Sequence, residues 1–249
     1  MSPVNLFFLF FATAAGSAAA QDQYIFPYGG SPSKQFIQEI IQLTGKERPK
    51  ICYLPTASGD SEQGIIRWYE LVHDLPVEPS VQKVWISSYN QQKSFEEVLL
   101  GVDAIVVGGG NTLNMIAIWK AQGIDKILKK ALEKGIVLAG GSAGSLCWFD
   151  NGTTDSRPRE LSVVEGLGFL PYSHCPHYHS EEYRRPLYFS NIEKGIFQPG
   201  YAMDDKAGII FKNGKVFKVL TVTEDDHAYF VSLKNGKAVE EKLQATLLK

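Results

Sequence analysis

The run Gly140-Gly141-Ser142-Ala143-Gly144 places one hydroxyl among small residues. It follows the apolar stretch 136–139 and precedes residues able to form a helix, so the sequence predicts a strand, a sharp turn at Ser142 and a helix. Small neighbours at 140, 141, 143 and 144 let the chain reverse tightly, which frees the Ser142 hydroxyl and turns the Ala143 N–H toward negative charge developing beside it. The chemistry this would serve is nucleophilic attack on a carbonyl, and a hydroxyl does that only with a base beside it. Five histidines are available. His73 reads as part of a charged helix surface and His227 as part of the Glu224-Asp225-Asp226 turn, whereas His174, His177 and His179 crowd into residues 173–179. That cluster lacks the spacing of a structural zinc site and the chain has no His-Glu-x-x-His, so the loop is read as the source of one general base, with no metal and no cofactor expected.

A second glycine-rich run, Val107-Gly108-Gly109-Gly110-Asn111-Thr112, also follows an apolar stretch and opens a helix. Leu113 stands where a dinucleotide fingerprint needs its third glycine, and no Lys-Ser or Lys-Thr follows to make a P-loop. Gly109, Gly110 and Asn111 are read instead as a segment whose backbone N–H groups approach a substrate closely, as an oxyanion site requires. Taken alone, each glycine run is also compatible with an ordinary turn before a helix.

The elements that must position these residues alternate. Runs 23–28, 50–54, 82–87, 103–107 and 135–139 are short, apolar and bounded by Gly, Pro or Ser, which predicts strands; 33–43, 63–74 and 124–133 carry helical apolar spacing. Such alternation implies right-handed crossovers and a mainly parallel sheet with helices on both faces, its chemistry at the carboxyl ends of the strands. Beyond residue 201 the texture changes: Asn213-Gly214 and Asn235-Gly236 sit between alternating runs and predict C-terminal antiparallel hairpins.

Composition narrows the function classes. A chain of 249 residues with 44% hydrophobic content can bury the core of one catalytic domain, taken as residues 21–249. Charge is close to balanced, 25 Lys plus Arg against 27 Asp plus Glu, and no basic run interleaves with aromatics, so no nucleic-acid partner is expected. Residues 1–20 read as a secretory signal peptide ending near Ala18-Ala19-Ala20, which implies an exported, periplasmic or extracellular protein; without cleavage the chain reads as cytoplasmic. The apolar block is shorter than a membrane span needs, so no stable membrane insertion is expected. Cys52, Cys147 and Cys175 are too few for a disulfide framework, and Cys52 and Cys147 read as buried small hydrophobes.

The motifs Gly108-Gly109-Gly110-Asn111-Thr112, Gly141-Ser142-Ala143-Gly144 with Cys147-Trp148-Phe149, Thr154-Asp155-Ser156, Gly166-Leu167-Gly168-Phe169-Leu170, Cys175-Pro176-His177-Tyr178, Arg184-Arg185-Pro186 and Gly200-Tyr201-Ala202-Met203-Asp204-Asp205 together resemble the peptidase E family, relatives of cyanophycinase. The resemblance runs from about residue 29 to the C-terminal hairpins. It implies a fold of the class I glutamine-amidotransferase type and metal-independent hydrolysis of short peptides. On it, Ser142 is the nucleophile, His177 the base and Asp155 the acid that orients the base, with Asp150 and Glu165 as rivals. Gly110 and Ala143 supply the oxyanion donors. Members of the family often prefer an N-terminal aspartyl residue, whose carboxylate wants an arginine fork; Arg184 and Arg185 stand near enough in sequence to provide one. Asp204 and Asp205 could hold a substrate amine or cap a turn. The partner implied is a small peptide substrate, and a homodimer is compatible with this reading. Two other readings stay open: an esterase-type serine hydrolase, which shares the elbow, and an exported non-catalytic binding protein that keeps the crevice.

Overall fold

The structure, a computed structural model, describes residues 21–85 and 91–249. Residues 1–20, where the signal peptide is expected, and residues 86–90, which include the last two positions of the expected strand 82–87, lie outside the described residues.

The first half of the chain runs β1 (Tyr24–Tyr28), α1 (Lys34–Thr44), β2 (Lys50–Leu54), a 3₁₀ turn (Thr56–Ser58), α2 (Glu62–Val72), β3 (Glu78–Val81), α3 (Phe95–Leu99), β4 (Ala104–Val107), α4 (Thr112–Gln122), α5 (Ile124–Glu133) and β5 (Val137–Gly141). The helices start where side chains satisfy their free N–H groups: the Ser33 hydroxyl accepts from the Phe36 amide, Ser94 and Glu97 cap α3 reciprocally, and Asn111 caps α4. The five strands pair in parallel in the order β1-β5-β4-β2-β3. Both faces are covered, because alternate residues feed different cores: Ile25, Cys52, Ile105 and Leu138 pack to one side, Phe26, Ile51, Val106 and Ala139 to the other.

One expected strand is displaced. A strand lies at Glu78–Val81, ahead of the described residues 82–85 of the expected one, at the sheet edge where Pro79 costs no ladder bond. Beyond it, the Asp60 carboxylate accepts from the amides of Val84 and Trp85, which withdraws that backbone from pairing.

The second half runs α6 (Ala143–Leu146), β6 (Phe149–Thr154), β7 (Ser162–Glu165), β8 (Leu170–Cys175), α7 (Arg184–Glu193), β9 (Gly200–Met203), β10 (Ala207–Lys212), β11 (Lys215–Thr221), β12 (Ala228–Lys234), β13 (Lys237–Lys242) and β14 (Thr246–Leu247). Both hairpin turns form as expected, with Asn213-Gly214 at φ 52° and 76° and Asn235-Gly236 at φ 51° and 76°, the left-handed pair that matches strand twist. The β10–β11 hairpin extends the first sheet antiparallel from β1. The β12–β13 hairpin instead joins a second, six-stranded sheet in the order β13-β12-β9-β8-β6-β7, with β6, β8 and β9 parallel. Among the described residues no helix is long and apolar enough to cross a membrane.

Candidate active site

β5 ends at Gly141 and α6 begins at Ala143, leaving Ser142 between them at φ 55° and ψ −118°, a conformation side chains avoid. Surrounding bonds impose it. The Ser142 amide donates to Tyr28 O, while its carbonyl accepts from the amides of Ser145 and Leu146. The flanking glycines are required by close approach: a Cβ on Gly141 would stand 1.9 Å from Gly30 O, and one on Gly144 2.2 Å from Val107 O. The turn therefore stores strain of about 1–3 kcal/mol and presents Ser142 Oγ at the sheet's carboxyl edge.

His177 follows β8 and Asp205 follows β9. These strands are parallel neighbours, with Cys175 opposite Ala202, so their following loops emerge together. His177 also has positive φ, 53°, and the Tyr178 amide beyond it is tied to Met203 O. His177 Nε2 lies 2.8 Å from Ser142 Oγ, and its Nδ1 lies 2.6 Å from Asp205 Oδ1. Because a carboxylate only accepts, Nδ1 carries the proton and donates to Asp205, leaving Nε2 to accept the Ser142 hydroxyl. Asp205 Oδ1 also accepts from the Ser180 hydroxyl at 2.9 Å, and the Asp205 carbonyl accepts from the Gly30 amide.

The expectation that Asp155 is the orienting acid is corrected by this geometry. β6 flanks β8 on the side away from β9; the Asp155 side chain is 64% exposed and its nearest cationic partner, Arg184, is 3.7 Å away. The rivals fare no better: Asp150 accepts from Gln198, and Glu165 pairs with Asn151 across β7 and β6. Asp204, beside Asp205, is buried and accepts from the His179 amide and ring and from the His227 amide, so it knots two loops together.

The other histidines of the cluster diverge. His174 is fully buried, its Nδ1 2.8 Å from Tyr201 O and its Nε2 2.8 Å from Ser145 Oγ, with its ring stacked on Phe149. Burial pushes its imidazole down to about 3, which keeps it neutral at ordinary pH. Among the described residues no three His, Cys, Asp or Glu side chains converge as a metal site would require. All three cysteines are buried free thiols, and burial raises Cys52 to about 11 and Cys175 to about 12, so none is a reactive nucleophile.

The loop 108–111 crosses the strand ends beside Ser142: a Cβ on Gly109 would stand 3.1 Å from Ser142 Cβ. The Gly108 amide donates to Leu54 O and the Asn111 amide to Ala57 O, while the amides of Gly109, Gly110 and Ala143 find no backbone acceptor among the described residues. Gly110, at φ 135°, passes so near Ala57 O that a Cβ would lie 2.3 Å from it. The Asn111 side chain caps α4 and donates to Ser156 O, so it is not free for substrate.

The arginine fork is not where sequence proximity puts it. Arg184 is buried, donating to Glu181 and Thr153 O; Arg185 donates through Nε and Nη2 to Glu240 and lies over the Phe189 ring. Neither lines the cleft of about 540 Å³ that opens over Ser142 and His177.

Comparison with known proteins places the chain in a family. Residues 28–219 match the model of peptidase family S51. The uncharacterized peptidase YgaJ of Bacillus subtilis (strain 168) is 39% identical over 211 residues, covering 85% of this chain and 90% of the relative. Peptidase E of Shewanella denitrificans is 25% identical over 156 residues, 60% of this chain and 63% of the relative. In fold, the crystal structure of a peptidase from an acI-B1 Actinobacterium superposes with a TM-score of 0.70 at 16% identity, covering 91% of this chain and 96% of the other. With its fold and most of its length matched in this way, the chain belongs to peptidase family S51 and is a serine peptidase.

Proposed function

We propose that this chain hydrolyses short peptides through an acyl-enzyme formed on Ser142, with His177 as general base and Asp205 as the group that orients it. The observation that carries the reading is the unbroken line from Ser142 Oγ through His177 to Asp205 at 2.8 and 2.6 Å. As the hydroxyl attacks the scissile carbonyl, Nε2 takes its proton; the imidazolium is stabilised by Asp205 and then protonates the leaving amine. The tetrahedral oxyanion falls to the amides of Gly110 and Ala143, and water, activated by the same base, releases the acid product. The cleft volume suits a di- or tripeptide, and aspartyl dipeptides head the candidate substrates on family resemblance. Export rests on residues 1–20 alone and is checked by N-terminal sequencing of the protein recovered from the medium or periplasm.

A fluorophosphonate probe tests the reading directly. Labelling that vanishes in Ser142→Ala and His177→Ala, with both variants folded, is expected; a folded wild type that takes no label overturns it. A panel of Asp-X, Glu-X, Gly-X and blocked dipeptides, run with and without chelator, then ranks substrates, and activity abolished by chelator overturns the triad mechanism.

A further inference from the structure

The arginines near His177 in sequence are held by Glu181, Thr153 and Glu240, yet the cleft does contain a cation. Helix α2 lays Gln63, Gly64, Arg67, Trp68 and Leu71 along it, the spacing of a single helical face. Among the described lining residues Arg67 is the one permanent charge, and no Asp or Glu joins it. It makes no ion pair with any described carboxylate, Glu70 one turn on included. Its neighbours are fixed: Trp68 is buried and stacked on Tyr53, ring centroids 5.3 Å apart at 16°, and the Tyr53 hydroxyl would lie 2.4 Å from a Cβ on Gly108. Burial raises the Tyr53 phenol and the Arg67 charge offsets part of that rise.

We propose that Arg67 determines specificity, its guanidinium receiving a carboxylate of the peptide whose scissile carbonyl rests against Ser142. The inference rests on the peptidase reading and adds the chemical class of the substrate. Arg67 is exposed at the rim of the cleft, where a guanidinium with free donors attracts a planar carboxylate, and no lining acid competes for it. Two parts of a short peptide present that group, its C-terminus and an Asp or Glu side chain. A peptide with neither gains nothing from the cation.

The test compares kcat/KM for matched pairs, free acid against C-terminal amide and Asp against Asn, on wild type and Arg67→Gln, with fluorophosphonate labelling in parallel. Wild type is expected to favour the charged member of at least one pair by about fivefold to a hundredfold, the range of an exposed to a desolvated charge-assisted contact. Arg67→Gln is expected to bring that ratio to within about twofold by lowering only the charged member, while the uncharged probe labels Ser142 at the wild-type rate. A change confined to the acid and amide pair assigns the C-terminus; one confined to the Asp and Asn pair assigns the side chain. Wild type indifferent to charge in both pairs, or Arg67→Gln slowing charged and uncharged members equally, overturns the proposal while normal labelling leaves the peptidase reading standing. A wild type that neither labels nor cleaves overturns both.

Discussion

Asp205→Asn separates the carboxylate that the structure pairs with His177 from the one suggested by sequence order. Asp205 Oδ1 accepts from His177 Nδ1 at 2.6 Å and thereby keeps Nε2 unprotonated toward Ser142. An asparagine in the same pose can turn its NH₂ toward Nδ1; the ring then carries its proton on Nε2, and Ser142 loses its base. In serine proteases the equivalent change lowers kcat by about 10⁴-fold, near 5.5 kcal/mol. Here the Asp205 side chain is 38% exposed and shares its oxygen with Ser180, so solvent replaces part of the orienting field. The expected loss is therefore about 10³-fold, close to 4 kcal/mol, in the rate of fluorophosphonate labelling and in kcat/KM on the best dipeptide. Asp155→Asn, on an exposed residue with one long contact to Arg184, is expected to stay within about twofold of wild type. Thermal unfolding of both variants confirms that rate losses are not folding losses. Asp205→Asn within tenfold of wild type, or Asp155→Asn slower than Asp205→Asn, refutes the assignment.

Strain at the elbow is open to a stability measurement: Ser142→Gly relieves φ 55° where Ser142→Ala keeps it, so the glycine variant is expected to unfold about 1 kcal/mol later in denaturant than the alanine variant, and equal midpoints would remove the strain argument. Gly109→Ala puts a methyl 3.1 Å from Ser142 Cβ, next to the Gly110 amide proposed as an oxyanion donor; kcat is expected to fall by about 10²-fold with stability nearly unchanged, and an unaltered kcat would show that this loop lies outside the oxyanion site. His174 makes stability pH-dependent. Its imidazole titrates near 6.5 when unfolded and near 3 when buried, so below pH 6.5 the unfolded chain binds a proton that the native chain refuses. Stability should fall by up to about 1.4 kcal/mol per pH unit between pH 6.5 and 3 on this group's account and owe it no slope above 6.5. Denaturant titrations at pH 7 and 5 on wild type and His174→Gln check this; parallel trends in the two proteins would contradict it.

The first sheet was legible because its determinants are local. Each of β1, β2, β4 and β5 is a short apolar run closed by a turn residue, and each Asn-Gly pair specifies its own hairpin without reference to anything distant. Apart from its β12–β13 hairpin, the second sheet was not. β6 reads Phe-Asp-Asn-Gly-Thr-Thr and β8 Leu-Pro-Tyr-Ser-His-Cys, mixtures that match neither the alternating nor the continuous pattern, because their polar groups are satisfied by tertiary bonds such as Ser173 to Tyr188 and His174 to Ser145. Burial that depends on partners far along the chain leaves no periodic trace.

The same distinction governs the site. Ser142 and Gly109 are defined within a few residues by a strand, a turn and a helix, and His177 by a cluster in which one base is needed. The acid depends on topology. β8 has two parallel neighbours, β6 and β9, and each ends at a carboxylate, Asp155 in one case and Asp204-Asp205 in the other. Nothing in the order of residues ranks them, and Asp155 is the nearer to His177 in sequence. What decides is which flank of the second sheet is fastened to the strand beside the nucleophile. The Gly29 and Gly30 amides at the end of β1 donate to the carbonyls of Ala207 and Asp205, while the loop after β6 is held to α4 through Ser156, Asn111 and Leu113. Because β1 pairs directly with β5, Asp205 is drawn to the Ser142 side of His177 and Asp155 is carried away from it. The absence of side chains at Gly29 and Gly30 permits that docking, since a Cβ on Gly29 would stand 2.2 Å from Asp204 O, and so two glycines far from the nucleophile in sequence select which carboxylate meets His177.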